Sequence, residues 1–245
     1  IMMNKPLVTT YGDWLFPCAI WRDECGAFPT ERHQLENEQF SNVYASSDLG
    51  QHIVLRGHAD VPNRSFDEHM IVEKQDGSLW MLVRTFDGIG ESYSYDNGYT
   101  WTPGQKSHID GPCSRFHIRR LKSGRLLMIN HCNIEERIDL NNIMSQGNVK
   151  KWRGRSNLTA MLSEDDGKTW PYKLLLDERN EVSYPDASEC ENGYIYVCYD
   201  RERVTQREIL MARFTEDDVL AGKILSKHGK LKILVNKALG QPDVD

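Results

Sequence analysis

The sequence has no long apolar run. Its longest stretches, Leu79–Val83 and Tyr194–Tyr199, fall far short of the about 20 residues that a membrane-spanning helix needs, so no membrane span is expected. There is no Cys-x-x-Cys pair among the cysteines at 18, 25, 113, 132, 190 and 198, which removes the usual spacing of a zinc or thioredoxin-like site. No metal or other cofactor is expected. The cysteines read mainly as small core hydrophobes with free thiols, which leans towards a reducing, cytoplasmic compartment. Cys190 and Cys198 also flank a glycine turn and can face each other across a hairpin. An excess of basic charge is lacking: the formal net charge is −6, whereas a nucleic-acid-binding domain is usually strongly basic. No nucleic-acid partner is expected. A signal-peptide pattern is absent too, but the chain opens on Ile1, Met2 and Met3, and further sequence is expected to precede it.

What remains is an ordinary globular composition, with 39% hydrophobic and 27% charged residues over 245 positions. A single domain over 1–245 is expected. Helical periodicity is scarce, while short β-rich runs bounded by glycine turns are frequent, which reads as all-β. Internal repeats are therefore the first thing to look for. One repeat is a hairpin on a polar-Gly turn. It occurs at Asn4–Val8 and Trp14–Ile20 around Gly12, at His69–Glu73 and Leu79–Arg84 around Gly77, at Phe116–Leu121 and Arg125–Asn130 around Gly124, and at Pro185–Glu189 and Tyr194–Tyr199 around Gly193. A glycine there supplies positive φ at low cost.

A second repeat follows each hairpin. Residues 94–101 and 163–170 both fit Ser-x-Asp-x-Gly-x-Thr-Trp. Ser46–His52 is a weaker copy, and Thr215-Glu216-Asp217-Asp218 reads as an eroded fourth. Each is preceded by a short strand: Ser41–Ala45, Ser92–Tyr93, Leu158–Leu162 and Ile209–Phe214. The Ser and Asp side chains can bind nearby backbone N–H groups and hold a turn. An EF-hand calcium loop would need more oxygen ligands, a Glu at its twelfth position and flanking helices, so the structural turn is the preferred reading. Hairpin, third strand, box turn and fourth strand, repeated four times, predict a β-propeller of four-stranded blades.

The boxes resemble the Asp boxes (BNR repeats) of sialidases, and the arrangement resembles the bacterial exo-α-sialidase-like (neuraminidase) family over nearly the whole chain. Phe66-Asp67-Glu68-His69, with Asp76-Gly77 and Val83-Arg84-Thr85, is similar to the family's stretch with a buried Glu, a hairpin and an Arg at the strand end. Arg155-Ser156-Asn157-Leu158-Thr159 looks like the segment of another triad arginine, and Ser183-Tyr184-Pro185-Asp186 like that of the nucleophilic tyrosine. His69 and Pro185 depart from the commonest neighbours. Members of the family fold as six blades, so the resemblance implies that this chain holds about four of six, the C-terminal two-thirds. The family's first triad arginine and acid/base Asp have no match here and are expected in preceding sequence.

The residues themselves point the same way. Aligned on the hairpin glycines, Met3, Glu68, Arg115 and Tyr184 stand nine residues before, and Ala19, Arg84, His131 and Asp200 seven residues after. Equivalent positions of successive blades form rings, and both rings belong at the end of the blade away from the boxes. With the resemblance, this convergence makes Tyr184 and Glu68 the expected catalytic pair. The resemblance implies Arg84 and Arg155 as the carboxylate clamp, and Arg115 and His131 are expected to line the site. The long insertions 21–40 and 132–154 are expected at its rim. Each assignment has a plainer alternative: Glu68–Arg84 as a structural ion pair, Tyr184 as a core tyrosine, Arg155 as a surface arginine of the basic run from Lys150, and Asp200 as a loop cap.

The chemistry is coherent. Sialic acid carries a carboxylate on its anomeric carbon, and arginine binds carboxylates through a rigid fork. A carboxylate nucleophile would be repelled, and sialidases use tyrosine instead. A phenol needs a base within hydrogen-bond reach. The expected partner is a sialylated or other acidic glycan. Two rivals stay open: another propeller enzyme on an acidic sugar, a hydrolase or lyase using His131 or His117, and a non-catalytic carbohydrate-binding propeller.

Overall fold

A computed structural model describes residues 4–20, 38–65, 68–132 and 154–239. Two compact units divide the chain, Ile1–Cys113 and Ser114–Asp245. The first unit holds two antiparallel sheets. One runs β1 (Leu7–Val8), β2 (Trp14–Cys18), β3 (Ser41–Ser46) and β4 (Val54–Ala59). The other runs β5 (Met70–Glu73), β6 (Leu79–Thr85), β7 (Gly88–Ser94) and β8 (Gln105–Lys106). The second unit repeats the plan with β9 (His117–Arg120), β10 (Leu126–His131), β11 (Leu158–Ser163) and β12 (Tyr172–Asp177). Its second sheet is β13 (Val182–Glu189), β14 (Tyr194–Arg201), β15 (Glu208–Thr215) and β16 (Lys230–Lys237), with helix α1 (Glu216–Ala221) between the last two strands. Strands adjacent in sequence are adjacent in every sheet, so the chain is all-β and built from four propeller blades.

Local chemistry explains the blades. Gly12, Gly77, Gly124 and Gly193 all take positive φ. The N–H of each donates to the carbonyl three residues back, at Thr9, Lys74, Leu121 and Cys190. The expected hairpins are therefore present. Of the second and third strands, β6, β10 and β11 are buried throughout, while the fourth strand β8 is exposed. Apolar residues build a core in each unit. Leu15, Val43, Leu79, Met81 and Val83 belong to the first; Leu127, Leu158, Leu162, Tyr199 and Phe214 belong to the second.

The box turns form as their residues require. In all three, the Ser hydroxyl donates to the Asp Oδ1 and accepts from the Gly N–H: Ser46, Asp48 and Gly50; Ser94, Asp96 and Gly98; Ser163, Asp165 and Gly167. The Asp then accepts from the residue two places after the Gly, Thr100 and Thr169 through N–H and hydroxyl. At the copy that looked weak in sequence, His52 supplies the same two contacts through its N–H and Nδ1. These bonds, led by the Thr169 hydroxyl, hold the Asp165 carboxyl down to about 2. The fourth copy is a correction. Thr215 is the N-cap of α1, its hydroxyl accepting from Asp218 N–H while Asp218 accepts from Thr215 N–H, and Gly222 closes the helix in the left-handed region. Thr-x-x-Asp ahead of an apolar pair is a capping box rather than a turn box.

Register fixes which end of a blade carries what. The residue opening each box or cap pairs with the first residue of the second strand: Trp14 with Ser46, Leu79 with Ser94, Leu126 with Ser163, Tyr194 with Thr215. In each blade the boxes thus share an end with the hairpin glycines, and the starts of first strands and ends of second strands lie at the other end.

The cysteine expectations need revision. Cys18, Cys113, Cys132, Cys190 and Cys198 are free thiols, but of these Cys113 alone is buried and Cys198 is exposed. Cys198 pairs across the hairpin with Asp186, not Cys190. Apart from their ends, the insertions 21–40 and 132–154 lie outside the described residues, as do Met3, Phe66, Asp67 and the basic run through Arg153. Among the described residues no helix is long and apolar enough to cross a membrane.

Candidate functional site

The first unit contributes Glu68 and Arg84. Arg84 stands near the end of β6 and Glu68 just before β5. The Arg84 Nη1 lies 2.6 Å from Glu68 Oε2, and both side chains are 0% exposed. The other Nη of Arg84 points at Cys113 Sγ, 3.6 Å away, and that thiol reaches Ser65 Oγ at 3.3 Å. Ser65 N–H in turn donates to the Arg84 carbonyl. Two charges out of water are tolerable here because each neutralises the other within a hydrogen-bonded surround. The ion pair given as an alternative for these residues is therefore present.

The second unit contributes Tyr184, Arg155, Arg115 and His131. Tyr184 sits in β13 where the ladder with β14 breaks: Ser183 pairs with Asp200 and Asp186 with Cys198, leaving two residues to oppose Tyr199. This is a β-bulge, a device that re-aims a side chain. Pro185 follows and has no N–H to give the ladder. Tyr184 itself has φ +56°, a left-handed conformation that costs a non-glycine residue of order 1–3 kcal/mol and clusters at functional sites.

Several groups hold it there. Ser183 Oγ donates to Asp200 Oδ1 at 2.7 Å. Arg203 ion-pairs through Nε with Asp200 and donates through Nη2 to Ser183 Oγ at 3.1 Å. The Arg203 guanidinium carbon lies 3.7 Å from the Tyr184 ring centroid, and that of Arg155 lies 5.9 Å away. Arg155 is placed by its own carbonyl, which accepts from Val182 N–H at the start of β13. Asp200 thus does cap this loop, as its plainer alternative held. It also anchors the arginine over the tyrosine.

Beyond the bulge, Asp186 approaches His117 Nδ1 at 3.2 Å and Arg115 Nη2 at 3.8 Å. His131, at the end of β10, is buried, and its Nδ1 donates to the Ser156 carbonyl at 2.9 Å. Burial, aided by the Arg155 charge and opposed by that carbonyl, drives His131 down to about 4. It is therefore neutral at pH 7. Its Nε2 is buried and has no hydrogen-bond partner among the described residues.

Sequence reasoning named Tyr184, Arg155, Arg115 and His131 as candidates but did not single out Arg203, which meets the Tyr184 ring, Asp186, which faces Arg115, or Ser183, which joins Arg203 to Asp200. The available signal was the charged run Asp200-Arg201-Glu202-Arg203 straight after an apolar strand. Among the described residues no group of three or more His, Cys, Asp and Glu side chains is placed to hold a metal ion. Chemically, the second unit presents a constrained phenol flanked by two guanidinium groups, a setting suited to an anionic ligand.

The BNR repeat-like domain family matches residues 1–197. No curated protein sequence matches the chain. Among solved structures, the chain is similar to the intramolecular trans-sialidase from Ruminococcus gnavus in complex with oseltamivir carboxylate, with 18% identity and a TM-score of 0.58 over 88% of this chain and 43% of that one. It is similar to the leech intramolecular trans-sialidase complexed with 2,7-anhydro-Neu5Ac, with 17% identity and a TM-score of 0.59 over 89% of this chain and 32% of that one. It is also similar to a PL25 ulvan lyase, with 11% identity and a TM-score of 0.54 over 97% of this chain and 59% of the lyase. The chain thus spans less than half the length of either trans-sialidase. Likeness at these identities is likeness of fold.

Proposed function

The chain belongs to the BNR repeat-like domain family, and from that premise we propose that it acts on glycans as part of a retaining exo-α-sialidase, or of a glycosidase for a related acidic sugar. In this reading Tyr184 attacks the anomeric carbon and Glu68 accepts the phenolic proton. A glycosyl–tyrosine intermediate forms, and water then releases the sugar with retention. Arg155 and Arg84 take the substrate carboxylate. Arg155 is the one beside the tyrosine ring, while Arg84 is closed onto Glu68. Arg115 and His131 line the site. No residue of this chain is assigned to protonating the departing aglycone.

One observation carries the reading. Tyr184 is held at φ +56° in a bulged strand, with arginines against its ring. Left-handed strain on a non-glycine residue clusters at functional sites, and cationic groups beside the ring suit an anionic sugar; both support the reading. A fluorogenic sialoside given to the full-length protein tests it. Turnover is expected, with the α-anomer of the free sugar appearing first by proton NMR. Glu68→Gln should slow the reaction by about 10²–10⁴-fold, the range of a lost general base, and Tyr184→Phe by at least as much.

A second reading draws on neutral His131 and on Asp186 beside His117. These are acid/base groups suited to β-elimination from a uronate-containing polysaccharide. Release of an unsaturated sugar absorbing in the ultraviolet, with sialosides untouched, would favour it. Glycan binding with no turnover of either kind would favour a binding module.

A further inference from the structure

We propose that Arg203 is the positioning residue for Tyr184. It locks the left-handed bulge through Ser183 and Asp200 and stacks its guanidinium face on the tyrosine ring, so that the phenol has one orientation. The functional part of this inference rests on the nucleophile reading above; the positioning itself does not.

Three observations support it. The contact is close: 3.7 Å from guanidinium carbon to ring centroid, well inside the about 6 Å within which a cation over a ring counts as interacting. The hydrogen bonds close a loop, because Arg203 binds both Ser183 Oγ and Asp200, and Ser183 Oγ also binds Asp200. The residues so joined flank the bulge on both strands, since Ser183 and Asp200 are the last regular pair before the ladder shifts. Arg203 is itself delivered by a defined turn. Glu202 N–H donates to the Glu181 carbonyl at 3.0 Å, and Arg207 N–H to the Glu202 carbonyl at 2.7 Å.

The side-chain chemistry makes the role specific. Arg203 uses its edge for the Ser183 and Asp200 bonds and its face for the ring. A planar fork can do both at once; the ammonium of lysine is a point charge and cannot. A requirement for positive charge alone would therefore be met by Arg203→Lys, and a requirement for the plane would not.

The test compares Arg203→Ala, Arg203→Lys and Ser183→Ala in the full-length protein, with a fluorogenic sialoside as probe. Misplacing a reacting group by about 1 Å can cost about a hundredfold, so both Arg203 variants should lose kcat on that scale. KM should stay within about threefold, the split expected when an interaction serves the chemical step rather than ground-state binding. Ser183→Ala should lose less. The second readout needs no turnover: the ring carbon resonance of Tyr184 in protein with ¹³C-labelled tyrosine, identified by its loss in Tyr184→Phe. It should move in both Arg203 variants while the other tyrosine resonances stay in place. An unmoved Tyr184 resonance overturns the proposal, as does full kcat rescue by lysine or a loss wholly in KM. If the wild-type protein turns over no sialoside, the sialidase reading fails, and the resonance still decides whether Arg203 positions Tyr184.

Discussion

Glu68 and Arg84 offer the most quantitative perturbation. Both side chains are 0% exposed and meet at 2.6 Å. Glu68→Leu leaves a buried guanidinium facing an apolar side chain, and Arg84→Met leaves a buried carboxylate facing a thioether. Breaking a buried pair from either side costs roughly 3–5 kcal/mol, because the remaining charge is stranded away from water. Replacing both partners, as in Glu68→Leu with Arg84→Met, removes the stranded charge and should return most of that loss. For a chain of this length each kcal/mol moves Tm by roughly 2–4 °C, so either single change should lower Tm by about 6–20 °C. The double change should stay far above the sum of the two. Urea titration of the four proteins measures the coupling directly. Single variants within about 1 kcal/mol of the parent, the range of exposed pairs, would refute the reasoning.

Two further outcomes follow from the structure. His131 is depressed to about 4 from an ordinary 6.5, so the unfolded chain binds a proton in that window that the folded protein refuses. Its contribution to stability is complete above pH 6.5 and declines as pH falls towards 4, by roughly 3 kcal/mol in all at 1.36 kcal/mol per pH unit; urea titrations of His131→Asn between pH 7 and pH 4 should show a shallower slope. At Gly57 in β4, an added Cβ would stand 2.3 Å from the Gly98 carbonyl oxygen and 2.7 Å from that of Tyr99. Gly57→Ala should therefore cost about 1–3 kcal/mol as overpacking, read by thermal melt, whereas Gly77→Ala meets nothing within 4 Å but stands at φ +82°, so its cost of about 1–2 kcal/mol comes from the backbone alone.

The blades were legible because their information is local. A glycine that must turn left, a Ser–Asp–Gly box and alternating apolar runs each act within a few residues, so the hairpins and third strands fall where the spacing places them. One local signal was stronger than its sequence suggested, and one was misread. His52 can replace the box threonine because an imidazole Nδ1 reaches the same aspartate oxygen. Thr215–Asp218 caps a helix because the apolar Val219 and Leu220 follow it. The site was legible only in part. Tyr184 and the Glu68–Arg84 pair could be named from their places relative to the turns, and Arg155 only from the family resemblance of its segment. Arg203 was signalled only by the charged run after an apolar strand, because its contact depends on a bulge that lets Tyr184 turn over and meet it. The neutrality of His131 could not be named, because it is set by burial rather than by its neighbours in sequence.

The central claim is that Tyr184 is the nucleophile of an enzyme acting on an acidic sugar. A fluorinated sialosyl fluoride forms a slow-hydrolysing covalent adduct with such a nucleophile and tests the claim most directly. After incubation with the full-length protein, peptide mass spectrometry should find the sugar on Tyr184 and no adduct in Tyr184→Phe. A labelled residue other than Tyr184, or turnover of sialosides with the Tyr184→Phe variant as active as the parent, would contradict it.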